Sequence, residues 1–138
     1  MAPDGNDDFY HPWRELRNLG HVNLHLVEMS GPWPGRTNGI DTIWLDKNLQ
    51  QVERRCVLTH ELVHLRRGHT ICQTTAAEID VRVETARRLI SLEALIAASR
   101  WSKSIPEVAD ELWVVPMVLT DRIEYLRAHE RAALVENE

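Results

Sequence analysis

The stretch Leu58-Thr59-His60-Glu61-Leu62-Val63-His64-Leu65 limits what this chain can become more than any other. Its apolar residues Leu58, Leu62, Val63 and Leu65 mark a buried helix, yet the same turns carry two imidazoles and a carboxylate. Burying those groups is costly unless a metal ion or hydrogen bonds engage them. Four residues advance a helix by slightly more than one turn, so His60 and His64 share a face and can grip one ion. Neutral imidazole suits zinc. Glu61 lies about 100° around the helix from His60. There a carboxylate can serve as general base, taking the proton of a zinc-acidified water as it attacks an amide carbonyl.

Chance alone gives His-Glu-x-x-His in about 3 of every hundred chains of this composition, so the weight rests on context. Asn48 offers an N-cap with Gln51 three residues on, Arg66 and Arg67 suit the negative end of the dipole, and Gly68 suits the position after the last turn. A helix is expected from about Leu49 to Arg67.

Catalytic zinc usually takes three protein ligands and keeps one position for water. A continuation His-x-x-Gly-x-x-His fails here: Arg67 and Thr70 occupy the required positions, and Gly68 and His69 are out of register. Spacing leaves Glu78, Asp80, Glu84 and His69 as candidates for the third ligand. Glu78 also has a purely structural role open to it, because Thr75-Ala76-Ala77-Glu78 reads as a capping box. Cys56 shares the face of His60 and His64, but the span from Cys56 to His64 is about 12 Å along the axis, too long for one ion. Cys56 is expected to be a small buried residue.

Around this helix the pattern alternates between short strands and further helices. His11-Pro12-Trp13 opens a short helix stopped near Gly20. Val22–Met29 and Ile40–Leu45 read as two paired strands, separated by a Gly-, Pro- and Asn-rich loop over 30–39. Thr75 to about Ala98 reads as one long helix, Ser104-Ile105-Pro106-Glu107 starts another ending near Trp113, and Pro116 begins a last one running to about His129. The expected fold is α+β: a mostly helical single domain with a small antiparallel sheet beside the metal helix. Residues 1–11 are expected to be a flexible leader, 12–130 the domain with 104–128 as a C-terminal helical pair, and 131–138 a frayed tail.

Composition narrows the function classes. With 43% hydrophobic and 27% charged residues, 138 residues can build one real core. No run approaches the length of a membrane span, and the acidic start lacks the apolar segment of a secretory signal. Two cysteines, Cys56 and Cys72, make no disulfide framework and fit free thiols in a reducing cytoplasm. The net charge of −5 sits at the end of the chain, where residues 104–138 carry three arginines and eight acids. That segment has the outline of a helix-turn-helix, with Val108, Leu112, Val115, Leu119, Ile123 and Leu126 as its core. Its charge argues against contact with phosphates, and no direct nucleic-acid or membrane binding is expected.

Three stretches resemble the ImmA/IrrE family of metallopeptidases: Gly39–Asp46, Glu53–His64 and Glu78–Ile90. The likeness covers roughly residues 12–128, especially to the short actinobacterial and phage members. In that family a strand precedes the His-Glu-x-x-His helix, and a later helix supplies an acid a fixed distance before an Ala-Ala-x-x-Leu-like segment. Thr85-Ala86-Arg87-Arg88-Leu89-Ile90 fits that segment, which places the acid at Glu78. Ser91 stands where members often have proline, and the long extensions of larger members are missing. The resemblance implies a gluzincin-like zinc endopeptidase, with one zinc on His60, His64 and Glu78 and Glu61 as base. It implies a protein substrate, often a transcriptional repressor of a phage or mobile element. It also implies a sheet edge, here Ile43–Asp46, that pairs with an extended substrate. Tyr125, His69 and Tyr10 are the side chains available to stabilise an oxyanion, and spacing selects none. The alternatives are a non-catalytic repressor-binding module and a helix-turn-helix regulator on a peptidase-like fold.

Overall fold

The computed structural model describes residues 9–69 and 73–137, so Cys72 and residues 1–8 of the expected leader lie outside the described residues. The order of elements is α1 (Pro12–Arg17), β1 (Asn23–Val27), β2 (Gly35–Thr37), β3 (Thr42–Asp46), α2 (Gln51–Arg66), α3 (Thr75–Leu89), α4 (Leu92–Trp101), α5 (Ile105–Leu112), α6 (Pro116–Glu124) and α7 (Ala128–Glu136). It is a mostly helical α+β domain, as the sequence pattern predicts.

The sheet differs from expectation in direction and in membership. Its strand order is β1-β3-β2. The expected pair β1 and β3 forms, but the strands are parallel, with Leu24 opposite Ile43 and Leu26 opposite Leu45. The sheet is therefore mixed. A parallel pair cannot close through a tight hairpin, and the chain uses the supposed loop as its crossover. Within that stretch Gly35–Thr37 forms β2, antiparallel to β3 and hidden in the sequence by its Gly and Pro neighbours. The turn back into β3 is held by Asn38, whose Oδ1 accepts from the backbone N–H of Ile40, Asp41 and Thr42, each at 3.0 Å. Gly39 there takes φ 73°, which glycine adopts without steric cost.

One face of β3 builds the first core cluster. Ile43 and Leu45 are fully buried against Leu58, Leu62 and Leu65 of α2. On the other face Trp44 lies between Arg36, whose guanidinium is 5.3 Å from the ring centroid, and His25, at 6.4 Å between centroids. The second cluster gathers Cys56 of α2 with Ala86, Leu89, Leu95, Val108, Leu112 and Leu119 from α3 to α6. Helix α2 thus joins both clusters, and Cys56 is buried as expected.

Several helix ends fall elsewhere than the sequence suggests. Helix α2 starts after Gln50 rather than Asn48. The Gln50 N–H donates to Glu53 Oε1 at 3.2 Å, while Asn48 N–H is taken by Asp46. Gly68 does take the left-handed conformation after the helix, with φ 69°. The expected long helix breaks at Ile90. Ser91 caps a new helix by accepting from Ala94 N–H at 3.1 Å, and Arg122 Nε donates to the Ile90 carbonyl at 2.9 Å. The last helix also divides, α6 ending at Glu124 and α7 occupying 128–136, where a frayed tail was expected. Glu130 anchors α7 through a buried ion pair with Arg122, at 2.6 Å.

The end of the leader is fastened as well. Arg55 is 2% exposed, and its Nη1 and Nη2 donate to the carbonyls of Trp113 and Tyr10 at 2.8 and 3.1 Å. The Phe9 ring centroid lies 4.3 Å from its guanidinium. Burial pushes this arginine down to about 10. Among the described residues, no helix is long and apolar enough to cross a membrane.

Candidate functional site

Helix α2 presents His60 and His64 from successive turns, and α3 packs beside it with Glu78 in its first turn. The start of α3 decides what Glu78 can do. Thr74, not Thr75, is the N-cap, and its Oγ1 accepts from Ala77 N–H at 3.1 Å. The capping-box register read from Thr75 is therefore wrong by one residue, and Glu78 is released from a capping role. Its carboxylate reaches across to α2 instead. Oε1 lies 3.1 Å from His64 Nε2, and Oε2 lies 3.5 Å from His60 Nε2.

These separations can be tested against an ion. A tetrahedral centre with bonds of about 2.1 Å sets its ligand atoms roughly 3.4 Å apart. Each Glu78 oxygen reaches one imidazole at about that separation, and ligand atoms of all three residues lie within 4.8 Å of one another. Two imidazoles and one carboxylate also form a donor set that suits zinc. The donor set of His60, His64 and Glu78 would suit one zinc ion.

The other candidates separate cleanly. Glu84 is held by Arg67 at 2.6 Å and Arg88 at 2.8 Å. Asp80 is exposed and does not line the cleft. His69 stands behind His64, their Nδ1 atoms 2.9 Å apart. Were His64 Nε2 to offer its lone pair to an ion, its Nδ1–H would donate to His69, which would fix tautomer and ring direction. The αL glycine Gly68 and the bond from His69 N–H to the His64 carbonyl, 3.1 Å, bring His69 back to that place.

Glu61 is 7% exposed and opens into the same cleft. Burial first, and the Glu78 charge second, push its carboxyl up to about 8. Burial, followed by the neighbouring His64, lowers the proton affinity of His60, which keeps that imidazole neutral. Burial likewise lowers His64.

The cleft has a volume of about 720 Å³ and runs across α2. One wall is β2 with Trp33 and Pro34, and the opposite wall is α3 and the start of α6, with Arg82, Val115, Met117, Val118 and Asp121. Residue 35 must be glycine for β2 to sit this close, since a Cβ there would lie 2.7 Å from Val57 Cγ1. The sheet edge facing the cleft is β2 and not Ile43–Asp46, because β3 is the central strand. Asp46 N–H bonds Pro34 O at 2.8 Å and Asn38 N–H bonds Thr42 O at 3.2 Å. In an antiparallel ladder that pattern turns Arg36 toward β3 and leaves the backbone groups of Gly35 and Thr37 on the open edge.

Of the side chains considered for oxyanion stabilisation, His69 lines the cleft. Tyr10 lies in a different recess and donates to Glu15, and Tyr125 caps α6 away from the cleft. Sequence reading missed the pair Arg82 and Asp121, joined at 2.6 and 3.1 Å. The position of Arg82, four residues after Glu78, was a usable signal, because it puts both side chains on one helix face. Compared with family models, with curated proteins and with solved structures, the chain matches none.

Proposed function

We propose that this protein is a zinc-dependent metallo-endopeptidase of the ImmA/IrrE kind, acting on a protein substrate in the cytoplasm. The observation that carries the reading is the convergence of His60, His64 and Glu78, with ligand atoms within 4.8 Å of one another, beside buried Glu61 in one open cleft. When bound, zinc supplies positive charge that polarises a peptide carbonyl and acidifies a water. His60 and His64 offer Nε2 and Glu78 a carboxylate oxygen, while His69 holds the far side of His64.

Glu61 moves the proton. Its carboxylate takes a proton from the attacking water and returns it to the leaving nitrogen of the cleaved amide. Burial raises the proton affinity of this carboxyl, which suits it to hold the proton between the two steps. An extended substrate lies along β2, bonding the outward backbone groups of Gly35 and Thr37 as an added strand. A main-chain grip of that kind reads conformation rather than side chains. A repressor from a phage or mobile element is the substrate that the family resemblance favours.

The test is elemental analysis of protein purified without chelator or metal-binding tag, combined with cleavage of a pool of internally quenched peptides. The wild type is expected to hold about one zinc per chain and cleave. Glu61→Gln should keep the zinc and lose cleavage, and Glu78→Ala should lose both. A wild type that takes up no zinc when it is supplied refutes the reading and favours a binding module.

A further inference from the structure

Arg82 is the cationic side chain of the α3 and α6 wall, and its surroundings are built rather than incidental. Asp121, only 4% exposed on α6, accepts from its Nε at 3.1 Å and its Nη2 at 2.6 Å. A two-point bond of that kind fixes the plane of the guanidinium. Among the described residues Nη1 makes no hydrogen bond, and the Arg82 side chain is 45% exposed along the cleft that holds His60 and Glu61. Helical spacing from Glu78 places Arg82 one turn along the same face of α3.

We propose that Arg82 is a substrate-docking residue whose Nη1 donates to a main-chain carbonyl of the peptide lying in the cleft. The proposal rests on the peptidase reading and names what its site takes: an internal stretch of chain rather than a chain end. Because Asp121 already neutralises the guanidinium, the free edge is a polarised donor with little net charge to attract a terminal carboxylate. Val115, Met117 and Val118 line the same wall of the cleft as Arg82, and these apolar side chains suit a large apolar side chain of the same peptide. Bonds to β2 on one wall and to Arg82 on the other would fix the peptide across α2.

The experiment measures affinity of the zinc-loaded protein for three probes. Acetohydroxamate engages the ion alone. An isobutylsuccinyl-tryptophan hydroxamate ending in a methylamide engages the ion and the cleft, and the third probe is its free-acid counterpart. Arg82→Gln and Arg82→Lys are compared with wild type. Lysine keeps a charge against Asp121 but lacks the planar fork. Both variants are expected to retain about one zinc per chain and wild-type affinity for acetohydroxamate, while the methylamide probe weakens tenfold or more. The wild type should bind the methylamide at least as tightly as the acid. Equal affinity of wild type and both variants for the methylamide probe overturns the docking role. A free acid bound tenfold tighter than the amide, with the preference lost in Arg82→Gln, overturns the assignment to a neutral carbonyl. A wild type that takes up zinc yet binds no hydroxamate overturns this docking site while leaving the metal centre in place; one that takes up no zinc overturns the peptidase reading, and the proposal with it.

Discussion

Replacing Gly35 with alanine tests how closely β2 is laid on α2. The added Cβ would meet Val57 Cγ1 at 2.7 Å, Leu45 Cδ2 at 3.1 Å and the Trp44 carbonyl oxygen at 3.2 Å. Carbon atoms rest about 3.5–4.0 Å apart, so the strand and helix must separate by nearly an ångström or Val57 must turn away. Leu45 is fully buried and Trp44 O is backbone in the central strand, so neither yields easily. Overpacking of this kind costs about 1–3 kcal/mol. Gly35 lies outside the positive-φ set, so alanine also gains about 0.4–1 kcal/mol by restricting the unfolded chain. The net loss is about 1–2 kcal/mol, or roughly 3–8 °C in Tm for a chain of this size. Urea unfolding of Gly35→Ala, Val57→Ala and the double variant supplies the decisive comparison. If Cγ1 is the main obstruction, the double variant loses about 1 kcal/mol less than the sum of the singles. Additivity within about 0.5 kcal/mol, or a Gly35→Ala protein as stable as wild type, refutes the argument. The metal content found for the wild type should not change in any of the three, because neither Gly35 nor Val57 is among the residues proposed to hold the ion.

Two further perturbations probe the framework around the site. The hydrogen bonds from Arg122 hold the Glu130 carboxyl down at about 2 against the opposing effect of burial. A depressed carboxyl stabilises the fold above its ordinary pKa near 4.5 and stops doing so as pH falls toward 2. Wild type should therefore lose more stability between pH 5 and 2 than Glu130→Ala, which at pH 7 should already be about 3 kcal/mol weaker because Arg122 is left buried and unpaired; parallel urea-stability curves against pH would refute this. At the start of α3, Thr74→Ala should cost about 1 kcal/mol through its lost cap, while Thr75→Ala, at an exposed first-turn position, should cost a few tenths by the same denaturation assay. The reverse order would return Glu78 to a capping role.

The readable part of this chain is the part written in local periodicity. His60 and His64 are four residues apart in one helix, so their meeting follows from helical rise alone. Glu78 is different: it meets them only because α3 folds back on α2, and its cap register turns on which of two adjacent threonines binds Ala77 N–H. The direction of β1 against β3 was not legible, because alternation assigns faces and says nothing of polarity. β2 was hidden for another reason. It is three residues long, and its glycine is there for contact with Val57 rather than for a turn. The apolar pattern from Thr75 to Ala98 runs on through Ile90, so the break there shows only in the Ser91 cap and in the bond from distant Arg122.

The least legible feature, the joining of α6 to the cleft, is also the one that gives the C-terminal helices a part in the site. Asp121 is in place because α6 packs on α3 and is backed by α5, with Val108, Leu112 and Leu119 in the shared core. The turn between them is fixed by the left-handed Trp113, φ 57°, whose carbonyl accepts from Arg55 of α2. Arg55 lies five residues before His60, so the helix that presents the histidines also holds the turn that sets the direction of α6. Through Asp121, α6 in turn sets the orientation of Arg82. Disturbing the C-terminal pair should therefore leave the spacing of His60, His64 and Glu78 intact, since all three stand on α2 and α3, while turning the guanidinium away from the cleft. The negative charge of residues 104–138, unsuited to phosphates, has in Asp121 a use inside the fold.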